Sequence, residues 1–287
     1  LATSIYKELR KTREINPEDL KGISFEQLEM GDLDITPEVI SVLKSQYIFQ
    51  EKGGGQDKNG GELSETEQAV FKELSQVLKI YQSNYKDNPG LVEKYIDGLL
   101  EKLENEKENI RFYFYRVNGE IIAFDRFDDL GEGKKYWASL NVIDSAKGQD
   151  IGNALIAATL EIEMRDAKQI EGICDPSKKV VGNYINEEGF VAEEFLSNYQ
   201  ETGKNLLKIV WRPDGDKFQY AQSDRKAIVG EYDKKFAGNR FQEEESSVVL
   251  KFEANSDDFY EKIDNMIDRG YVMTRYFFSD DEKEVYC

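Results

Sequence analysis

Histidine is absent from all 287 residues. Without an imidazole the chain can hold neither a Ser-His-Asp nor a Cys-His nucleophile, no His-ligated zinc, and no histidine base titrating near neutral pH. Proton transfer is left to carboxylate, tyrosine, lysine or water. Cysteine is nearly absent as well. Cys174 and Cys287 are far apart in the chain, which argues against a disulfide framework and for a reducing, cytoplasmic-type compartment. Long apolar runs are missing: the most apolar stretch, residues 154–160, is far too short to cross a bilayer. The first residues alternate in charge and lack the apolar core of a signal peptide, and a start at Leu1 rather than Met is expected of a trimmed chain.

Positive charge is also in deficit, with 38 Lys+Arg against 57 Asp+Glu and a formal charge of −19. Such a surface repels phosphate backbones and anionic lipid, so no nucleic-acid or membrane partner is expected. It would attract cations such as polyamines, lysine side chains or aminoglycoside-like amines. Solubility alone is the plainer explanation of the same charge. Hydrophobic residues make up 39% and aromatics 12%, enough for a real core in one large domain or two smaller ones.

Residues 22–30 read as a strand, and Thr36-Pro37 as the cap and first position of a helix through Ile40, Leu43 and Tyr47. Residues 51–62 hold five glycines and no apolar side chain, the composition of a flexible loop. Ser64 with Glu67 predicts a capping box for a helix carrying Val70, Phe71, Leu74, Val77, Leu78 and Tyr81 at helical spacing. Asn88-Pro89-Gly90 is expected to end it, and a third helix runs through Leu91, Tyr95, Ile96, Leu99, Leu100 and Leu103.

The period then changes. Residues 111–117 alternate and are aromatic, Asn118-Gly119 signals a hairpin, and residues 120–127 return. Glycines 131 and 133 turn the chain into a strand over 134–142. A helix over 151–167, a strand over 169–174, a helix over 177–188 closed by Gly189, and a hairpin of 190–198 with 206–211 follow. Strand, helix, strand predicts a right-handed parallel crossover in a mixed sheet.

Gln149, Asp150, Ile151, Gly152, Asn153 and Ala154 open the helix directly after a strand. The N–H groups of such an end, reinforced by the helix dipole, bind phosphate, and a glycine lets an anion approach the backbone. A structural turn accounts equally well for a lone glycine at a helix start.

The fragment has the form Gln-x-x-Gly-x-Ala, and about thirty residues on stands Asn183-Tyr184-Ile185-Asn186-Glu187-Glu188-Gly189-Phe190. In this order, and on these elements, the two pieces resemble the GNAT family of acetyl-CoA-dependent N-acyltransferases, over roughly residues 22–213. The resemblance implies an α/β fold with a mixed central sheet flanked by helices. It implies that the strand residues Leu140, Asn141 and Val142 pair with the pantetheine arm of acetyl-CoA. It further places the pyrophosphate on the N–H groups from Gln149 to Ala154 and the protonation of the departing thiolate on Tyr184. On its helix Tyr184 accompanies Val180, Val181 and Ile185, and a core tyrosine is the alternative.

Direct acetyl transfer needs a neutral amine, and therefore a base. Glu171 on the next strand is the first candidate, and Asp125 and Asp128 are the others. The Asp125–Asp128 strand end is also where carboxylates would hold a cationic acceptor, entering beside the glycine-rich segment. Cys174 is expected to be a core thiol rather than an acyl carrier. Two departures from the family pattern stand out. Asp150 puts a negative charge beside the expected pyrophosphate, with Lys147 to offset it, and Ser177 stands where an asparagine is common. A non-catalytic module that senses acyl-CoA or binds a protein therefore stays open. Neither a metal ion nor a second coenzyme site is expected, and a homodimer is compatible with the chain.

Residues 1–214 are assigned to the GNAT-like domain and residues 215–287 to a C-terminal α+β extension. That extension carries 11 Lys+Arg and 17 Asp+Glu. Its expected elements are strands at 247–254, 271–278 and 284–287 around a helix at 258–269 that Gly270 ends. The run Asp268-Arg269-Gly270-Tyr271-Val272 echoes Glu187-Glu188-Gly189-Phe190-Val191, the mark of a half-copy of the same fold or of a plain helix–glycine–strand junction.

Overall fold

Thr36 and Ser64 set where the first two helices begin. In the computed structural model strand β1 (Ile23–Glu29) passes through a 3-10 turn (Met30–Asp32) to helix α1 (Pro37–Tyr47). The Val39 N–H donates to Thr36 Oγ1 at 3.3 Å, and Pro37 takes the first helical position, where its missing N–H costs nothing. The structure describes residues 23–47, 63–87, 89–178, 180–186, 188–197, 199, 204–213, 251–253, 256–269, 273, 277–278 and 284–286. The glycine-rich segment 51–62 lies outside them, as do residues 214–250.

Helix α2 (Glu65–Asn84) opens with the expected capping box. Ser64 Oγ accepts from the Glu67 N–H at 3.3 Å, and Glu67 accepts from the Ser64 N–H at 2.8 Å; such a cap contributes about 1 kcal/mol. Helix α3 (Pro89–Asn105) begins at Pro89. Pro89 and Gly90 therefore start the third helix instead of closing the second, because proline fits a first helical turn as well as a break.

Contacts divide the chain into two compact units, residues 1–167 and 168–287. In the first, β1, β2 (Ile110–Val117), β3 (Glu120–Gly131) and β4 (Lys134–Val142) form consecutive antiparallel pairs. Asn118 and Gly119, with φ of 52° and 84°, supply the left-handed pair that a two-residue hairpin needs. Val39, Leu43, Leu74, Leu78, Leu99 and Leu103 of the three helices pack on Phe112, Phe114 and Phe124 of the sheet. Each such side chain contributes about 1.5–3 kcal/mol by burial. Helix α4 (Ile151–Glu163) follows β4 and buries Ile151, Ala154, Leu155, Ala158 and Thr159. It ends four residues before the expected 167, at a turn where the Met164 N–H bonds the Leu160 carbonyl.

In the second unit β5 (Gln169–Cys174), β7 (Leu206–Trp211) and β6 (Val191–Leu196) lie antiparallel in that order. Helix α5 (Val180–Asn186) is shorter than the expected 177–188. Gly189 follows it with φ of +79°, and the Phe190 N–H returns to the Tyr184 carbonyl at 3.0 Å, as a left-handed terminator does. A small antiparallel sheet holds β8 (Lys251–Glu253), β10 (Glu284–Tyr286) and β9 (Phe277–Phe278) in that order. Helix α6 (Asp257–Asp268) is capped by Ser256 Oγ, which accepts from the Phe259 N–H at 3.2 Å. From the expected strand 271–278, Met273 bridges Ala192 and the last two residues form β9. The order strand, three helices, three antiparallel strands, helix, strand, helix and hairpin is the α/β order that the resemblance to GNAT acyltransferases implies.

Candidate functional site

Two left-handed residues turn the chain from β4 into α4: Gly148 at φ +75° and Asp150 at φ 57° and ψ 10°. Aspartate is among the few non-glycine residues that accept this conformation. Its side chain makes no capping bond to the helix, but a carboxylate there still interacts favourably with the dipole. A Cβ added to Gly152 would stand 3.5 Å from Val142 Cγ2 and 3.9 Å from Leu140 Cδ2. The missing side chain thus brings the first helical turn against the last residues of β4, and it faces those side chains.

Each expected coenzyme residue of this turn can be placed. The side chains of Ile151 and Ala154 are 6% and 3% exposed and belong to the core, so only their backbone could meet a ligand. The Ala154 N–H already donates to the Asp150 carbonyl at 3.0 Å. That removes Ala154 from the expected pyrophosphate donors and shifts the expectation to the N–H groups upstream of it. Asn153 is exposed. Gln149 Nε2 donates to the Ser145 carbonyl at 3.0 Å and braces the loop.

A polar chain that the sequence reading missed ends at β4. Lys147 Nζ donates to Asp144 Oδ1 at 2.6 Å and to Asn84 Oδ1 at 2.9 Å, and Asn84 Nδ2 donates to Asn141 Oδ1 at 2.9 Å. Lys147 is therefore paired with Asp144 instead of offsetting Asp150. One turn of α2 earlier, the Tyr81 hydroxyl meets Ser139 Oγ at 2.6 Å. Strand alternation puts Ser139 and Asn141 on the face toward α2, and Leu140 and Val142 on the face toward α4.

The carboxylates weighed as bases are engaged within the protein. Asp128 is 2% exposed and takes Arg126 Nε and Nη2, each at 2.7 Å, and Lys102 Nζ at 2.6 Å. Asp125 is fully buried, accepting from Trp137 Nε1 at 2.5 Å, Thr159 Oγ1 at 2.7 Å and the Arg126 N–H at 3.1 Å. Burial pushes its carboxyl up to about 7, with the negative charge of Glu163 adding to the rise. These two acids hold internal cations and donors, so the expectation that they would bind a cationic acceptor is overturned. The signal was in the sequence: two acids and an arginine amid the aromatic, strand-forming FDRFD point to a buried ion cluster.

In the second unit Glu171 Oε2 lies 3.1 Å from Lys208 Nζ and 3.4 Å from Gln169 Nε2. Tyr184 is 7% exposed on the side of α5 that also buries Val181 and Ile185. The Ser177 N–H donates to Asp175 Oδ1 at 2.9 Å, an Asx turn. Burial pushes the Cys174 thiol up, which keeps it protonated and weakly nucleophilic at neutral pH.

No protein-family model and no curated protein sequence matches the chain. Among solved structures it is similar to a protein assigned to the GNAT acetyltransferases from Desulfovibrio desulfuricans, with 14% identity, covering 49% of this chain and 92% of that one, at a TM-score of 0.41. It is also similar to the PaiA N-acetyltransferase of Thermoplasma acidophilum in complex with coenzyme A, with 15% identity, 49% and 93% coverage, and a TM-score of 0.37. For a GNAT-family acetyltransferase of Elizabethkingia anophelis with acetyl-CoA bound, the values are 13%, 39% and 82%, and 0.33.

Proposed function

We propose that the chain is a GNAT-type N-acyltransferase that moves an acetyl group from acetyl-CoA directly to a primary amine. The observation that carries the reading is the approach of Gly152 to β4, with its Cβ position 3.5 Å from Val142 Cγ2. It sets the donor-rich helix start beside the strand end, where one coenzyme could lay its diphosphate on the N–H groups of Ile151 and Gly152 and its pantetheine arm along Leu140, Asn141 and Val142. Gln149, Asp150, Asn153 and Ser177 complete the proposed contacts.

In the reaction the amine lone pair forms the C–N bond, the carbonyl pair moves onto oxygen, and its return expels the CoA thiolate. Glu171 is assigned the proton lost by the amine, and Tyr184 the proton gained by the thiolate. The acceptor is a cationic amine, a choice supported by the net charge of −19. The extension 215–287 is an appendage to the acyltransferase domain, and the scarcity of cysteine supports a cytoplasmic-type setting.

A specific observation favours a second reading, a coenzyme-binding module without turnover: Asp125, Asp128 and Glu171 all have internal donors. Calorimetry with acetyl-CoA tests the binding site. Thiol release over a panel of a polyamine, a lysine peptide and an aminoglycoside tests turnover. Binding with release supports the transferase, and binding without release supports the module. No binding of acetyl-CoA refutes both.

A further inference from the structure

Four buried side-chain polar atoms have no hydrogen-bond partner among the described residues: Gln46 Oε1, Ser75 Oγ, Glu163 Oε2 and Asn141 Nδ2. Glu163 Oε2 lies 2.8 Å from Lys135 Nζ, and a helix serine such as Ser75 can turn its hydroxyl to a carbonyl one turn back. Gln46 is the last residue but one of a described stretch. Asn141 Nδ2 has none of these explanations.

Its orientation follows from its neighbours. A lysine ammonium has donors only, so the Asn84 atom 2.9 Å from Lys147 Nζ must be the oxygen. Asn84 therefore turns its NH₂ toward Asn141, and the Asn141 atom 2.9 Å away must also be the oxygen. The NH₂ of Asn141 is left over, on a residue 2% exposed. A buried donor without an acceptor costs about 1–3 kcal/mol, while Asp144, Lys147 and Asn84 all act to keep it so turned.

We infer that the Asn141 side-chain amide is a binding donor for a carbonyl oxygen of the acyl-coenzyme, with Asn84 and Lys147 as its positioning residues. This inference rests on the coenzyme reading above. The donor's chemistry selects its ligand. An NH₂ group repels an ammonium, and a bond to a neutral amine would occupy the lone pair needed for attack. An oxygen acceptor remains, and Asn141 belongs to the β4 end along which the coenzyme reading lays the pantetheine arm, its side chain on the face opposite Leu140 and Val142. Acyl-CoA offers such oxygens in its thioester carbonyl and in its pantetheine amides. If the thioester is the partner, the same N–H meets the oxygen that gains charge during attack.

The test is calorimetry of the full chain with acetyl-CoA and with CoA, which lacks the thioester carbonyl, on the wild type, Asn141→Ala and Asn84→Asp. In Asn84→Asp the carboxylate at position 84 cannot donate, so Asn141 turns its NH₂ toward it and presents oxygen to the ligand. Loss of roughly tenfold in affinity for acetyl-CoA in both variants, with CoA unchanged, assigns the thioester carbonyl. Equal loss for both ligands assigns a pantetheine carbonyl. Unchanged affinity for both in Asn141→Ala overturns the inference while the coenzyme reading stands, and failure of the wild type to bind either ligand overturns both. Infrared spectroscopy of carbonyl-labelled acetyl-CoA on the wild type needs no variant. In the thioester case the stretch falls on binding and the fall disappears in Asn84→Asp. An unshifted stretch together with CoA affinity that the variants leave intact overturns the inference.

Discussion

Thr159 of α4 and Asp125 of β3 are joined through a single hydroxyl proton with two claims on it. Thr159 Oγ1 lies 2.7 Å from Asp125 Oδ2 and 3.1 Å from the Ile156 carbonyl, and a hydroxyl can donate to only one of them. If Asp125 is protonated on Oδ2, it donates to Thr159, which then donates to Ile156. Asp125 Oδ1 still accepts from Trp137 and Arg126, and every member is satisfied. The neutral carboxyl is thus the form that this buried network suits, in keeping with the upward push on its titration.

Asp125→Asn should therefore stabilise the protein near neutral pH, because an amide nitrogen in the place of Oδ2 donates to Thr159 permanently. The sign follows from linkage. The folded carboxyl titrates at about 7 against an ordinary 3.8, so its contribution is fully present below about pH 4 and is lost as pH rises to about 7. The loss is up to about 4 kcal/mol. Urea melts from pH 4 to 8 should show the variant gaining on the wild type across that range; a constant difference would refute the assignment.

Asp128→Ala should destabilise the fold by about 3–5 kcal/mol, since it strands the buried Arg126 guanidinium, 7% exposed, without its bidentate partner. Lys102→Ala, with a side chain 36% exposed, should cost no more than about 1 kcal/mol. Chemical denaturation of both variants checks the order, and the reverse order would contradict it.

Gly152→Ala adds a methyl at ordinary contact distance, 3.5 Å from Val142 Cγ2, so melting should move by less than about 1 kcal/mol and acetyl-CoA should still bind. Gly152→Glu should retain the fold and lose at least about tenfold in acetyl-CoA affinity, through charge repulsion at the helix start. Calorimetry and circular dichroism together make the comparison. Equal affinity in all three proteins would move the diphosphate elsewhere.

Tyr184→Phe should lower turnover by about 10–100-fold and change acetyl-CoA affinity little, because the phenol is assigned to the leaving thiolate and not to binding. Steady-state kinetics with a fixed amine separates the two parameters. An unaltered rate would make Tyr184, 7% exposed, a core side chain.

Much of the fold was legible in local pattern. The Ser64–Glu67 box, the Asn118-Gly119 hairpin, the strand 134–142 and the terminating Gly189 stand where the sequence places them, since caps, turns and alternation act over a few neighbouring residues. Helix ends were less legible. Helix α4 stops at Glu163 and α5 starts at Val180, positions decided by packing more than by propensity. At the site, Gly152 could be singled out in the sequence, but the strand side chains it faces could not.

The amino-acid order by itself determined the α/β succession, the acidic surface and the exclusion of imidazole chemistry, because composition and short-range periodicity carry that information. Only the tertiary structure decided what the acids and amides do. Asp128 meets Lys102 across 26 positions of chain, and Asn84 meets Asn141 across 57. Such pairings depend on how helices seat on the sheet, a long-range outcome that no local pattern encodes.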